Sequence, residues 1–155
     1  MGPLLLIGSA FGVRRLVFDT EDQPAVLAEL GYSHGLTPRE NPAAHAVLLR
    51  ELDSYFAGTL RRFTSAIDRR ALRGFRGTVL EFLPRLRYGH TASYGSVAEA
   101  VGSPLATRAV SNACSHNPVP ILIPCHRVIR SSGGLGTYLG GSRAKLALLR
   151  LEGAR

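Results

Sequence analysis

Three prolines, Pro118, Pro120 and Pro124, punctuate the apolar segment Asn117-Pro118-Val119-Pro120-Ile121-Leu122-Ile123-Pro124-Cys125-His126-Arg127-Val128-Ile129. Each fixes φ and removes a backbone donor, so the segment is stiff wherever the fold puts it. It ends by delivering a thiol, an imidazole and a guanidinium in succession, and such rigidity suits a placed nucleophile. A cysteine in an apolar run is ordinarily an inert small hydrophobe. A thiol reacts as its thiolate, however, and needs a base or a positive charge nearby, which His126 or another histidine brought in by the fold can supply. Adjacent residues of a strand point to opposite faces, so the link from His126 to Cys125 is expected to run through a bridging water. A carboxylate must then orient the imidazole, and of the eleven acids Glu152 alone lies downstream of Cys125.

The 155 residues suffice for one ordinary domain or two small ones. Apolar residues at 45% against 19% charged exclude a disordered chain. Nineteen basic residues against eleven acidic give a net charge of +8. All the bases but Lys145 are arginine, a planar fork suited to phosphate, and nucleic acid leads the expected partners. Cys114 and Cys125 cannot build a secreted disulfide framework, and no spacing suggests structural zinc, so no metal is expected. The apolar start lacks a basic n-region and no run reaches the roughly 20 apolar residues of a membrane span. A soluble, intracellular protein is expected, cytoplasmic and nucleoid-associated or nuclear, without a membrane or an obligatory protein partner.

Leu4–Ile7 and Val13–Phe18, joined by Gly8–Gly12, read as a hairpin. A short helix is expected at Gln23–Leu30, and Asn41-Pro42 opens a longer one whose buried face would be Ala46, Leu49, Leu52, Phe56 and Leu60. The polar, Arg-rich stretch from Phe63 to Phe75 reads as a linker, giving an N-terminal α/β domain at 1–70 and a second domain at 71–155. In the second, Val79, Phe82, Leu83 and Leu86 keep helical spacing until Pro84 ends or kinks the helix. Ser93 reads as an N-cap, with Val97, Ala100 and Val101 buried and Gly102 as the stop. Another helix is expected at once from Ser103-Pro104, burying Ala106, Ala109, Val110 and Ala113 with Arg108 pointing away. Two short helices joined so tightly have the proportions of a helix-turn-helix, or of a plain helical hairpin.

Pro124-Cys125-His126-Arg127-Val128 resembles the hallmark of the O6-alkylguanine-DNA alkyltransferases, and the resemblance extends through Tyr94, Arg108, Asn117, Gly136-Thr137-Tyr138 and Glu152. In the first half only Ser54-Tyr55-Phe56-Ala57-Gly58 is similar. The resemblance implies a ribonuclease H-like N-terminal domain and a mostly helical, winged-helix-like C-terminal domain. It implies direct-reversal DNA repair without a cofactor: Cys125 takes the alkyl group of O6-alkylguanine in double-stranded DNA and keeps it, as a single-turnover methylated-DNA–protein-cysteine methyltransferase. His126 would deprotonate Cys125 through water, Glu152 would hold His126, and Asn117 would brace the turn. Tyr94 would donate toward the guanine, and Val128, Gly136, Tyr138 and Leu139 would line the pocket. Arg108 would fill the space left by the everted base. Ala106, Ala109, Ser111 and Ala113 would approach the minor groove, with Arg127 and Ser131 also on the DNA. Leu86-Arg87-Tyr88-Gly89-His90, Pro84 and Leu139 depart from the usual pattern. A non-catalytic alkylated-DNA-binding protein, a helix-turn-helix regulator and a Cys-His-Glu hydrolase are the rival readings.

Overall fold

The computed structural model describes residues 2–34 and 39–155. Leu5–Ser9 (β1) and Gly12–Val17 (β2) pair antiparallel, with Leu5 opposite Val17 and a register break after Ile7. The turn is tighter than the Gly8–Gly12 connection expected, because Gly12 adopts a φ of 124°, open to glycine, and already belongs to β2. β2 buries Val13, Leu16 and Val17. Its backbone is tied on both sides: Val13 N–H donates to Ala66 O at 2.9 Å, and Leu16 N–H to Pro118 O at 2.8 Å. The N-terminal hairpin therefore seats directly on the proline-rich segment.

The first helix, Gln23–His34 (α1), extends past the Leu30 end expected. Asn41 and Pro42 open a 3₁₀ turn, Pro42–His45, and the α-helix proper is Ala46–Phe56 (α2). The three-residue period of that turn shifts the helix phase. Leu48, Glu51, Leu52 and Tyr55 face inward, whereas Leu49 and Phe56 are exposed and Leu60 lies beyond the helix. The 63–75 stretch is no loose linker. Asp68 is buried, accepting from Ser9 at 2.8 Å and from Arg70 at 2.7 Å and pairing with Arg14 at 3.4 Å.

Gly74–Phe82 (α3) passes at Pro84 into the 3₁₀ turn Leu83–Arg85, as the missing donor requires. Ala92–Ser93 (β3) leads into Tyr94–Ala100 (α4), with Ser93 and Ser96 closing a reciprocal capping box. Its buried face is Tyr94, Val97 and Ala98, and Ala100 is exposed. The next helix, Thr107–Ser115 (α5), begins three residues later than Pro104. Ser103–Ala106 instead forms a turn closed by Ala106 N–H on Ser103 O at 2.8 Å. Val110, Ala113 and Cys114 are its buried residues, Ala106 is half-buried and Ala109 exposed.

Cys125–Arg127 forms a 3₁₀ turn, not the end of a strand; the strand that follows, Val128–Ile129 (β4), pairs parallel with β3. Gly141–Leu151 (α6) carries the chain back to the site. The result is a two-domain α/β organisation with, among the described residues, two small sheets and six α-helices whose apolar cores are continuous, from Val13, Phe18 and Tyr55 to Cys125 and Leu148. Among the described residues no helix is long and apolar enough to cross a membrane.

Candidate active site

The turn before Cys125 is held by one side chain. Asn117, fully buried, accepts from Val119 N–H at 3.0 Å and donates from Nδ2 to Ile123 O at 2.9 Å and to Cys125 Sγ at 3.1 Å. Between these anchors Ile121 adopts a φ of 75°, the left-handed region that a β-branched residue rarely enters. Asn117 thus stabilises a turn of unfavourable backbone and marks the position of the sulfur.

Cys125 is 1% exposed, and burial pushes its thiol up to about 11, with Asn117 and Lys145 pulling the other way. The resting sulfur is therefore neutral and needs a base. His126 follows on the same 3₁₀ turn and is completely buried. Its Nε2 lies 2.9 Å from Glu152 Oε1, while its Nδ1 is buried and has no hydrogen-bond partner among the described residues. Burial lowers the pKa of the imidazole against the opposing pull of Glu152, so the ring rests neutral. With Nε2–H donated to the carboxylate, Nδ1 is a lone-pair acceptor.

Glu152, the C-cap of α6, is 5% exposed. Its Oε1 accepts from Tyr55 Oη at 2.7 Å, Arg127 Nη2 at 2.8 Å and His126 Nε2. Its Oε2 accepts from Arg127 Nε at 2.9 Å and Gly89 N–H at 3.3 Å. Burial opposes ionisation, but these donors hold the carboxyl well below the usual carboxylate range. Arg127 completes its fork on Leu86 O at 2.6 Å. It is 6% exposed, which corrects its expected place on the DNA: the guanidinium is consumed by the buried carboxylate. The unusual 86–90 segment likewise meets this carboxylate through Gly89.

Two further hydroxyls near the sulfur are buried: Tyr138 Oη has no hydrogen-bond partner among the described residues, and Tyr94 Oη has only the side-chain hydroxyls of Ser111 and Thr137 near it. Tyr94 crosses Gly136, whose φ is 70° and whose Cβ, had it one, would lie 2.4 Å from Tyr94 Oη. Tyr138 packs on His126 with ring centroids 6.4 Å apart. Val128 is buried. Buried polar atoms are rarely left unpaired, and orphans grouped around a nucleophile mark where a polar ligand makes its contacts.

The remaining expected residues lie elsewhere. Arg108, Ala109 and Ser131 are exposed, while Ala106 and Ser111 are half-buried. Ala113, at 1% exposed, faces the core and presents no surface to a groove, so its expected DNA contact is corrected. Leu139 is half-buried and lines a separate groove with Arg15, His116 and Pro118.

Two residues of the site were not anticipated. Lys145, the one lysine, is fully buried, donates to Val128 O at 2.6 Å and lies 5.8 Å from the centre of the Tyr94 ring. Its positive charge favours the thiolate of Cys125. Tyr55, also fully buried, reaches Glu152 from the opposite half of the chain. Its only signal in the sequence was the Ser54-Tyr55-Phe56-Ala57-Gly58 similarity; Lys145 had none beyond being solitary.

The family model described as "6-O-methylguanine DNA methyltransferase, DNA binding domain" matches residues 74–154. A methylated-DNA–protein-cysteine methyltransferase of Mycolicibacterium paratuberculosis is 48% identical over 115 residues, covering 73% of this chain and 68% of that protein. The protein of the same name from Mycobacterium leprae is 41% identical over 153 residues, 98% of this chain and 87% of the other. Among solved structures, Mycobacterium tuberculosis OGT in complex with DNA superposes with a TM-score of 0.82 at 38% identity, covering 98% of this chain and 87% of that one. With the Pro-Cys-His-Arg-Val turn, the imidazole–carboxylate pair and these relatives in agreement over both halves, the chain belongs to the methylated-DNA–protein-cysteine methyltransferase family.

Proposed function

We propose that the chain repairs O6-alkylguanine in double-stranded DNA by moving the alkyl group onto its own Cys125, once per molecule. The observation that carries the mechanism is the buried chain Cys125, His126, Glu152, in which every hydrogen-bonding atom of the base is committed except Nδ1. Nδ1 takes the thiol proton, directly or through one water. The carboxylate, already ionised, stabilises the imidazolium without accepting its proton. The thiolate then attacks the alkyl carbon in line: an S–C bond forms, the C–O6 bond breaks, and O6 leaves with the electron pair. Tyr94 Oη donates a hydrogen bond toward the departing ring; the guanine anion takes up one proton from solvent, and the proton that Cys125 gave to His126 is released to solvent, so the count balances. No path returns the alkyl group, so the thioether persists.

A sulfur 1% exposed cannot meet a stacked base. The guanine has to be everted, and the irregular 131–140 segment carrying Gly136, Tyr138 and Leu139 is the wall that accommodates it. Arg108, exposed on α5, would insert where the base was, offsetting part of an unstacking cost of a few kcal/mol. Ala106, Ala109, Ser111 and Ser131 fit close approach to the minor groove, and the basic surface supplies sequence-independent affinity. We read 1–70 as a ribonuclease H-like domain and 71–155 as a winged-helix-like one; the hairpin with α2 supports the first, and the α4–α5 pair beside β3 and β4 the second. Cys125 itself speaks against a non-catalytic damage-binding protein.

Intact-mass analysis after incubation with duplex carrying O6-methylguanine tests the reading. One methyl, about 14 Da, is expected on the Cys125 peptide per lesion repaired. Repair with unmodified protein overturns it.

A further inference from the structure

β2 and the 70–76 segment bring arginines around a groove of about 540 Å³. The other wall is the C-terminal end of α5, with Ser115 and His116, then Asn117, Pro118 and Leu139. The proposed chemistry uses, of this surface, only Asn117 and the edge at Leu139. Of the arginines, Arg14 and Arg70 are anchored on buried Asp68. Arg15 makes only long pairs, 3.5 Å to Glu21 and 3.8 Å to Glu29, and its Nε is buried without a hydrogen-bond partner among the described residues. Arg73 and Arg76 are exposed and donate to backbone carbonyls, Arg70 O at 3.1 Å and Ala71 O at 3.4 Å. Guanidiniums held by neutral carbonyls keep their full charge and gain most from an anion.

The groove selects a backbone over a base. Its lining holds no Phe, Tyr or Trp, and its one ring, His116, is tied through Nδ1 to Asn112 O at 2.9 Å, whereas three arginines, Arg15, Arg73 and Arg76, face phosphate oxygens. Its position matches a duplex held at α5. Arg108 and Ser115 are seven residues apart on that helix, about 10 Å at 1.5 Å per residue. With one phosphate per roughly 3.4 Å of axis on each strand, the groove stands about three nucleotides from the Arg108 contact. We propose that this groove is a second seat for the DNA sugar-phosphate backbone, holding the flanking strand while Arg108 works at the lesion. The inference rests on the proposed function and extends it to the N-terminal half of the chain.

The test is the double variant Arg73→Gln/Arg76→Gln, made in the full chain. Binding to undamaged duplex is measured across salt concentrations. Losing two phosphate contacts should flatten the slope of log K against log salt by about 1.8, at 0.9 per phosphate. The Arg73→Lys/Arg76→Lys variant should keep most of the slope, and melting curves report whether either variant is folded. Duplex shortened by three base pairs on the groove side should erase the difference between wild type and the Gln variant. An unchanged slope overturns the proposal, and so does a loss that persists on the shortened duplex. Transfer from the free alkylated base, which needs no backbone, should match wild type in both variants. If no enzyme transfers from base or duplex, it is the alkyltransferase reading that has failed, whatever the slopes do.

Discussion

Replacing Tyr55 with Phe deletes one oxygen and leaves the ring against Phe63, 5.2 Å between centroids, and Tyr88 at 6.3 Å. The lost group is a completely buried donor to an ionised carboxylate at 2.7 Å. Burial and the neighbouring carboxylate push the phenol's pKa far up, so it is always protonated and always donating. Hydrogen bonds to charged groups contribute about 1.5–3 kcal/mol, and no cavity is added beyond one atom. A loss of about 2 kcal/mol is expected, which lowers Tm by roughly 4–8 °C for a chain this size. The same deletion alters the chemistry. With one donor fewer, Glu152 draws harder on the His126 Nε2 proton and stabilises the imidazolium more. The pKa of His126 rises, and the acid limb of the single-turnover transfer rate moves to higher pH. Melting curves and a rate–pH profile of Tyr55→Phe are the assays. An unaltered melting curve together with an unmoved acid limb would refute the reasoning, because the hydroxyl would then neither stabilise the fold nor tune the base.

Acid should destabilise the protein in two stages. Burial depresses the His126 pKa, so its contribution is complete above the unfolded value of about 6.5 and is lost as pH falls below it; that of Glu152, held low by its donors, is complete above about 4.3 and lost on further acidification. Urea titrations between pH 8 and pH 4 should show stability falling from near 6.5, and stability that rises on acidification from 7.5 to 5.5 contradicts this. Gly136→Ala should destabilise by about 1–2 kcal/mol for the left-handed backbone, and slow transfer as the new methyl displaces Tyr94. Wild-type melting and rates in that variant would show that the crossing of the two residues is unimportant.

Much of the molecule was legible because local chemistry decided it. Ser93 caps α4, Pro84 ends α3 and the hairpin forms where apolar runs flank glycine. Helix phases were harder. The face of α2 depends on where the α-helix takes over from the 3₁₀ turn: four residues wound at about 120° rather than 100° each turn it by roughly 80°, close to one residue, which exchanges Leu49 and Phe56 for Leu48 and Tyr55. The site was legible as a set of residues: Asn117, Cys125, His126 and Glu152 do converge. What joins them was not. Tyr55 meets Glu152 across 97 positions, and no periodicity reports a contact of that separation. Arg127 looked like a phosphate ligand because guanidinium serves both roles, and only the fold reveals that a buried carboxylate has claimed it.

Burial of the solitary lysine leaves guanidinium as the permanent side-chain cation of this protein's exterior. Such groups stay protonated up to about pH 12, so the attraction they lend the surface for polyanions does not fade as the medium turns alkaline. It is equally out of reach of lysine acetylation, the common means of erasing positive charge from nucleic-acid-binding surfaces.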